Sequence, residues 1–411
     1  MMNNEDLRRW ELKNGIRVIF RRVKSGVGHC CLMMGAGSRD EMAHEHGLAH
    51  FIEHVMFKGT RNRKSFHILN RIDSVGGELN AYTTKEETCL YASFQKQYLE
   101  RAIELLSDIG FHSTFPAREI MKEKDVIKDE IQSYLDSPTE QIFDDFEEHL
   151  FPEHPLGRPI LGTAESLESF KQQHILQFRK RLHVSSQTIW SVTGDYEPAE
   201  IESLFEKYLA RHARGEKSAQ RFKPQKAKVF HKTTNRKTYQ AHCVIGSECL
   251  PASDKKRNAM ILLNNLFGGP AMNSRLNLNI REKYGFTYNL ESSYTALSDT
   301  GLFTIYLGTD TLYLDRTREL IEKEMRKLRE TKLGTMQLSA AKKQLCGQIA
   351  LGQENYSGVM MGLAKSVLLF DKIDSLEKIY SDIEKINAET ILELANRYMN
   401  PKNLSSLTYI P

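Results

Sequence analysis

The sequence predicts an α+β protein built from two similar halves in tandem. Short strand-like segments alternate with longer segments whose apolar residues recur at helical spacing. A strand followed by an amphipathic helix at residues 87–109 recurs in the same order and spacing at residues 301–328, which indicates two homologous halves. Apolar residues almost vanish at residues 211–228, and this predicts a solvated linker between a half at 1–210 and a half at 229–411.

The first half begins with Asn14-Gly15 between two strand-like stretches, a sequence typical of a hairpin turn. Glycines at Gly59 and Gly76 predict the ends of the first two helices. Further strands are predicted at residues 29–37, at 78–94 as two extended segments, and at 187–195. Helices are predicted at residues 45–58, 64–75, 96–111, 116–135 and 198–210.

The second half repeats this alternation of strands and helices. Strand-like sequences lie at residues 239–250 and 286–296, and a helix is predicted at residues 255–267 before Gly268-Gly269. The strand and helix at 301–328 follow them. The order of elements therefore resembles that of the first half.

Composition narrows the classes of function. Lysine and arginine total 57 against 53 acidic residues, a net charge of +4 over 411 residues without a dense basic block, so nucleic acid is a poor candidate partner. Six scattered cysteines do not resemble a disulfide framework and indicate reduced thiols. The sequence has no run of about 18 apolar residues to span a membrane, and its N-terminal residues do not resemble a targeting signal. We therefore expect a cytoplasmic protein.

The most informative motif is His50-Phe-Ile-Glu53-His54. On a helix, His50 and His54 lie four residues apart on one face, where their imidazoles converge. Two imidazoles make half of a tetrahedral zinc site, and Glu53 is placed to accept a proton from water at an open position. The order His-x-x-Glu-His is the reverse of the commoner His-Glu-x-x-His zinc-peptidase signature. The alternative is a pair of ordinary surface histidines on a helix.

A catalytic zinc also needs a third protein ligand, commonly a carboxylate. One of the predicted helices offers Glu123 and Glu130, which are seven residues apart and share a face. The same helix carries Glu119, Asp125 and Asp129, so a solvated acidic stripe is the alternative. Spacing alone does not choose among these acids.

Further landmarks recur in order along nearly the whole chain. They are Leu12-Lys-Asn-Gly15-Ile-Arg-Val18, Gly35-Ala-Gly-Ser-Arg-Asp40, the histidine motif with Phe57-Lys-Gly-Thr60, Gly76-Gly-Glu-Leu-Asn80-Ala81-Tyr82-Thr83, Val126-Ile-Lys-Asp-Glu130-Ile, His154-Pro-Leu-Gly-Arg-Pro-Ile-Leu-Gly162, Ser274-Arg-Leu and Arg281-Glu-Lys-Tyr-Gly285-Phe-Thr-Tyr288. Together they resemble peptidase family M16, the inverted-motif zinc peptidases related to the mitochondrial processing peptidase, insulysin and pitrilysin. The resemblance is closest to the short-chain, processing-peptidase-like branch of that family. The loop at Gly268 departs slightly from the family pattern by its proline, Pro270.

The resemblance implies roles for the residues around the motif. His50, His54 and Glu130 resemble the zinc ligands of the family, and Glu53 resembles its catalytic base. Glu130 follows His54 by 76 residues (130 − 54), which is the family's spacing. Glu123 resembles the acid that supports a ligand by a hydrogen bond, and such a partner orients the ligand and tunes its basicity.

The resemblance also implies where a substrate would lie. Asn80, Ala81 and Thr83 match the stretch that holds substrate backbone along an exposed strand edge, a mode suited to peptides. Arg281 and Tyr288 match the pair from the second half that reaches the region of the scissile carbonyl. Without the family context, a surface arginine and a packed tyrosine would be the simpler interpretation of that pair.

At the level of fold and assembly, the resemblance implies two α/β-sandwich halves, a zinc-binding catalytic half at 1–210 and a second half at 229–411 that carries the Arg/Tyr pair. The second half lacks a His-x-x-Glu-His motif, so we expect one zinc per chain. A chain of this length supplies half of the family's four-domain chamber. We therefore expect a homodimer that forms a clamshell chamber, with a heterodimer containing a related inactive chain as the alternative.

The expected function is zinc-dependent endopeptidase activity on unfolded peptides within the closed chamber. One alternative is a noncatalytic assembly or binding subunit of the same family, and another is a metal-binding module without hydrolytic activity. The intact Glu53 argues against the noncatalytic subunit, because a scaffold has no use for a base beside two histidines. Metal content together with a peptide-hydrolysis assay would separate all three functions.

Overall fold

The computed structural model describes residues 6–217, 220–225 and 228–411. Its strands are β1 (Leu7–Glu11), β2 (Arg17–Arg22), β3 (Val27–Met34), β4 (Glu78–Thr83), β5 (Thr88–Gln95), β6 (Thr188–Gly194), β7 (His231–Asn235), β8 (Ala241–Cys249), β9 (Thr287–Ala296), β10 (Gly301–Thr309) and β11 (Ser405–Ile410). Its α-helices are α1 (Leu48–Met56), α2 (Ser65–Asp73), α3 (Leu99–His112), α4 (Ala117–Leu135), α5 (Pro138–Leu150), α6 (Ala164–Ser169), α7 (Gln172–Leu182), α8 (Pro198–Leu209), α9 (Arg257–Gly268), α10 (Leu314–Glu330), α11 (Thr335–Gly352), α12 (Tyr356–Phe370), α13 (Leu376–Glu384) and α14 (Ala388–Tyr398). A π-helical turn, Asn277–Glu282, lies between α9 and β9.

The described residues form two compact units. The first comprises residues up to Gln132 together with Arg158–Phe222 and Gly352–Ser375, and the second comprises Ser133–Gly157, Lys223–Leu351 and Leu376–Pro411. Each unit therefore includes a segment from the other side of residues 211–228. The division into homologous halves at that segment stays a prediction.

The sheet of the first unit has the strand order β1-β2-β6-β3-β5-β4. The β2–β6 pair is parallel and the other pairs are antiparallel. Successive side chains of β3 point to opposite faces, with Cys30 and Leu32 in the main core and Cys31 and Met33 against α12. Both faces of the sheet are thus covered, which explains the continuous apolar run in β3.

The sheet of the second unit has the strand order β7-β11-β8-β10-β9. Only the β7–β11 pair is parallel among these described strands. One face packs on the larger core, which includes Leu263 of α9 and Ile321 of α10. The other face packs on Phe146 of α5, together with Val244 and Leu407 of the sheet. This unit is also an α/β sandwich, so the predicted α+β fold with two similar halves is confirmed.

The recurrence seen in the sequence corresponds to equivalent structural elements. In the first unit, β4 and β5 are antiparallel neighbours and α3 follows them. In the second unit, β9 and β10 are antiparallel neighbours and α10 follows them. The first strand of each pair, β4 or β9, forms one edge of its sheet.

The interpretation of residues 211–228 as solvated is wrong for two of its basic residues. The Lys217 ammonium lies 2.7 Å from Asp40 Oδ1, and the Arg221 guanidinium lies 2.7 Å from Asp40 Oδ2. Burial opposes the charge of Asp40, but both cations outweigh it and hold the pKa of this carboxyl below its usual value. A buried carboxylate requires such partners, which accounts for Lys217 and Arg221 in this segment. Residues 218, 219, 226 and 227 lie outside the described residues.

Two local predictions concern glycines. The predicted hairpin is confirmed, because β1 and β2 pair antiparallel around Gly15, whose φ is +89°. The helix predicted at 45–58 begins later, at Leu48, after Gly47 with a φ of +91°. A Cβ at Gly47 would lie 2.7 Å from the backbone of Gly162, so only glycine fits this start of α1.

Within the described ranges, no helix is both long and apolar enough to cross a bilayer.

Candidate active site

Helix α1 carries the three residues of the histidine motif. His50 is 8% exposed, and Glu53 and His54 are half-buried. The imidazole centroids of His50 and His54 are 4.6 Å apart with the ring planes at 62°. The one-turn spacing therefore places the two rings side by side, as the helical periodicity predicts.

Helix α4 places Glu130 beside both histidines. Glu130 Oε1 lies 3.8 Å from Nε2 of His50, and its Oε2 lies 3.5 Å from Nε2 of His54. One donor atom from each of these three residues lies within 4.8 Å of the others. The structure thus brings together the three residues for which the resemblance implies zinc ligation.

The other acidic residues of α4 differ from one another in burial and in their ion-pair partners. Glu119 pairs with Lys122 at 2.9 Å and Asp125 with Lys128 at 3.9 Å, while Asp129 is exposed. Glu123, in contrast, is buried. Spacing alone left these acids equivalent, and the packing of α4 distinguishes them.

The donor set fits a zinc ion. Donors about 2.0–2.1 Å from a tetrahedral ion are separated by about 3.4 Å, close to the two distances from Glu130. Burial, and then the neighbouring His54, lower the pKa of His50 to about 3, so this imidazole is neutral near pH 7. A metal ligand must be in that deprotonated form. Nδ1 of His50 is buried and has no hydrogen-bond partner in the described part of the chain.

Glu123 and Lys58 orient His54. Nδ1 of His54 lies 3.0 Å from Glu123 Oε1, and the Lys58 ammonium lies 2.8 Å from Glu123 Oε2. Burial opposes the charge of Glu123, but His54 and Lys58 outweigh it, so the pKa of Glu123 is lowered. An anionic Glu123 accepts a hydrogen bond from Nδ1 and leaves Nε2 of His54 facing Glu130.

Lys58 is the residue that the sequence analysis missed here. It lies four residues after His54 within the Phe57-Lys-Gly-Thr60 landmark, so its position near the end of α1 was visible in the sequence. Its role depended on knowing that Glu123 is buried, and spacing does not give that.

The carboxyl of Glu53 is suited to accept a proton. The pKa of Glu53 is raised, chiefly because burial disfavours its charged form. The negative charge of Glu130 raises this pKa further, while the Thr83 hydroxyl and His54 partly offset the increase. Its Oε2 is buried without a hydrogen-bond partner among the described residues. A carboxylate with a raised pKa is a better general base near neutral pH.

Strand β4 carries the three predicted substrate-binding residues. Asn80, Ala81 and Thr83 pair with Tyr91, Leu90 and Thr88 of β5, all on one side of the strand. The opposite side of β4 is the edge of the sheet. Helix α1 packs against β4, so the histidine motif and the strand edge are neighbours within the first unit.

Arg281 and Tyr288 lie together in the second unit. The Arg281 guanidinium is 5.8 Å from the centroid of the Tyr288 ring, a cation–π distance. Both residues line a cavity of about 500 Å³. Tyr288 is 85% exposed, so the alternative of a packed tyrosine is wrong.

Comparison with known proteins identifies the relatives of this chain. Residues 18–164 match the family model described as insulinase (peptidase family M16), and residues 169–345 match the model described as the peptidase M16 inactive domain. A Bacillus subtilis protein named "Uncharacterized zinc protease YmxG" is 32% identical over 400 residues, which cover 95% of each chain.

Two solved structures have the same fold. A protease from Helicobacter pylori superposes with a TM-score of 0.92 at 19% identity, covering 98% of this chain and 99% of that one. A structure from Pseudomonas fluorescens, titled as a peptidase M16 inactive domain, superposes with a TM-score of 0.91 at 18% identity, covering 99% of this chain and 98% of that one. At such identities the likeness concerns the fold alone. The two M16 models together match most of the chain, and the identity to the Bacillus zinc protease extends over nearly the full length of both chains, so this chain belongs to peptidase family M16.

Proposed function

We propose that this protein is a zinc-dependent endopeptidase that hydrolyses unfolded peptides. The observation that carries the proposal is the convergence of His50, His54 and Glu130 next to the half-buried carboxyl of Glu53. A cluster of ligands alone would bind a metal, whereas a base with a raised pKa beside it suits hydrolysis.

His50, His54 and Glu130 would hold one zinc ion per chain. Zinc with three protein ligands and one open position lowers the pKa of water toward about 7 and polarises a peptide carbonyl. Glu123 keeps the proton of His54 on Nδ1, and Nε2 is thereby free for ligation. The name of the Bacillus relative supports the choice of metal.

Glu53 would move the proton during hydrolysis. Its carboxylate takes a proton from the attacking water and delivers it to the nitrogen of the leaving amine. Arg281 and Tyr288 would hold the substrate carbonyl or stabilise the negative charge that develops on its oxygen. No covalent bond between substrate and enzyme is required.

The substrate backbone would bind along the open edge of β4 at Asn80, Ala81 and Thr83. An extended peptide can complete the hydrogen bonds of an edge strand, whereas a folded protein already uses those backbone groups internally. A closed chamber formed by two copies of the chain would strengthen this preference for unfolded peptides.

We propose that the chain acts as a homodimer in which Arg281 and Tyr288 serve the zinc site of the partner. The test is complementation between two poorly active variants, Glu53→Gln and Arg281→Ala. Co-expressed at equal dose, half of the randomly paired dimers contain one complete site, so activity should recover to roughly a quarter of the parent. If both groups act within one chain, activity stays at the mean of the two variants. A heterodimer with a related inactive chain is the other possible assembly.

A noncatalytic assembly or binding subunit is the second candidate function. The match of residues 169–345 to a model described as an inactive domain favours it. The intact Glu53, with its raised pKa beside the ligand cluster, favours catalysis.

A quenched fluorescent peptide assay with measured metal content separates these functions. We expect about one zinc per chain and hydrolysis that stops on chelation and returns when zinc is added back. A chain that binds zinc without hydrolysing any of a diverse set of unstructured peptides would contradict the proposal.

A further inference from the structure

The π-helical turn that carries Arg281 has an internal contact that the proposed mechanism does not use. Asn277, the first residue of this turn, is 7% exposed, whereas Asn279 two residues later is exposed. A π-helical turn contains an additional residue relative to an α-helical turn and occurs often at functional sites. The buried position of Asn277, a polar residue, therefore requires an explanation.

Both ends of the Asn277 carboxamide form hydrogen bonds. Its Oδ1 accepts a hydrogen bond from Nη1 of Arg281 at 3.1 Å, and its Nδ2 donates to the main-chain carbonyl of Met272. Because an amide rotated by half a turn would direct N–H groups at the guanidinium, these contacts define one orientation. Asn277 thus links Arg281 to the loop that contains Met272, and all three residues line the cavity of about 500 Å³.

A neutral partner has a specific consequence for Arg281. In the described part of the chain, no carboxylate lies within ion-pair distance of this guanidinium, which also lies 5.8 Å from the centroid of the Tyr288 ring. Asn277 uses one of the five N–H donors and leaves the positive charge uncompensated. An aspartate at that position would form an ion pair and compete with a substrate oxygen for Arg281.

We propose that Asn277 is a positioning residue that holds Arg281 in the orientation needed for peptide hydrolysis while preserving its charge. This inference rests on the proposed function, in which Arg281 binds the substrate carbonyl or the oxyanion. It assigns Asn277 no contact with the substrate. The effect of Asn277 on catalysis therefore passes through Arg281.

The first test compares Asn277→Ala with Asn279→Ala, a matched control in the same turn. Asn277→Ala should lower kcat by about 10- to 100-fold, the scale expected when a catalytic group is misplaced by about 1 Å. KM should change less, because a misplaced Arg281 weakens its contact with the developing oxyanion more than its contact with the neutral substrate carbonyl. Asn279→Ala should hydrolyse the peptide like the parent, and both variants should bind zinc like the parent. A parent-like kcat in Asn277→Ala would overturn the inference.

The second test is a double-mutant cycle with Arg281→Ala, measured in long incubations. If Asn277 acts through Arg281, Asn277→Ala causes no further loss of kcat in the Arg281→Ala background. An equal loss in both backgrounds would show that Asn277 acts by anchoring the loop at Met272, and would overturn the inference. If the alanine variant does not fold, the isosteric variant Asn277→Asp replaces it in this test. Asn277→Asp should also lower kcat, because the aspartate would form an ion pair with Arg281.

The same variants distinguish a failure of the role proposed for Arg281 from a failure of the role proposed for Asn277. If Arg281→Ala hydrolyses peptides like the parent, the role of Arg281 in the proposed function is wrong. If Arg281→Ala is impaired and Asn277→Ala and Asn277→Asp retain the parent kcat, the proposed function stands and only the positioning role of Asn277 is wrong.

Discussion

The two units use the same arrangement of a helix packed on an edge strand, yet they differ in the chemistry of that helix. In the first unit α1 packs on β4 and carries His50, Glu53 and His54. In the second unit α9 packs on β9, but its sequence contains no histidine and no acidic residue. Both units therefore position a helix on an edge strand, and the histidines proposed as metal ligands occur only on the helix of the first unit.

The units also differ in what surrounds that helix. In the first unit the acids Glu123 and Glu130 of α4 approach α1. In the second unit Asn264 of α9 contacts the Ser292 hydroxyl at 2.8 Å, a hydrogen bond between neutral groups. A charged site therefore occupies the position at which the second unit has ordinary packing.

Removing one of the proposed ligands should weaken zinc binding by the first unit more than any other substitution. His50→Ala, His54→Ala and Glu130→Ala each remove one of the three proposed ligands, so zinc affinity should fall by more than the roughly 100-fold associated with loss of a ligand's hydrogen-bond partner. Equilibrium zinc titration measures this, with the exposed Asp129→Ala as the matched control. If Asp129→Ala lost zinc and Glu130→Ala did not, the ligand assignment would be displaced by one residue.

Glu123→Ala should have the next largest effect. The substitution keeps all three ligands but removes the carboxylate that accepts the hydrogen bond from Nδ1 of His54. Zinc affinity should fall by about 10- to 100-fold. A zinc titration in which Glu123→Ala matches the parent would mean that His54 is oriented without this contact.

Lys58→Met should weaken zinc binding less than Glu123→Ala. Methionine keeps most of the length of the lysine chain but removes the ammonium 2.8 Å from Glu123. Glu123 still accepts the hydrogen bond from Nδ1 of His54 in this variant, so zinc affinity should fall by less than about 10-fold, the lower end of the effect of Glu123→Ala. An effect as large as that of Glu123→Ala would indicate that Lys58 does more than balance the charge of Glu123.

Asn264→Ala should leave zinc affinity unchanged. The substitution removes the hydrogen bond to Ser292 and should lower the free energy of unfolding by about 0.5–1.5 kcal/mol. Chemical denaturation measures the loss of stability, and zinc titration measures the binding. A weakened zinc affinity would show that the second unit influences zinc binding, and would contradict the assignment of the proposed metal site to the first unit alone.

The local geometry of the site was predictable from the sequence, because helical periodicity alone places His50 and His54 on one face of α1. Glu123 and Glu130 were not separable in this way, since residues seven apart share a face. Their difference arises from burial and from the ion pair with Lys58. The resemblance to family M16 implies that Glu130 is the ligand, and the structure gives its distances to the two histidines.

The parts of the fold that escaped prediction depend on contacts between distant segments. Helix α12 covers one face of the first sheet although more than 150 residues separate it from β6, and α5 covers one face of the second sheet although it precedes β7 by about 80 residues. Periodicity shows that such helices have an apolar face but does not identify the sheet that covers it. The pairing of Lys217 and Arg221 with Asp40 was hidden for the same reason.

The measurement that tests the central claim most directly is the turnover of zinc-loaded Glu53→Gln. Glutamine keeps the shape of the side chain but cannot accept the proton, so zinc content should remain at about one per chain. Hydrolysis of a quenched peptide should fall by at least about 10²- to 10⁴-fold, the contribution of a general base. Hydrolysis at the parent rate by the zinc-loaded variant would contradict the claim that the first unit is a peptidase site with Glu53 as its base.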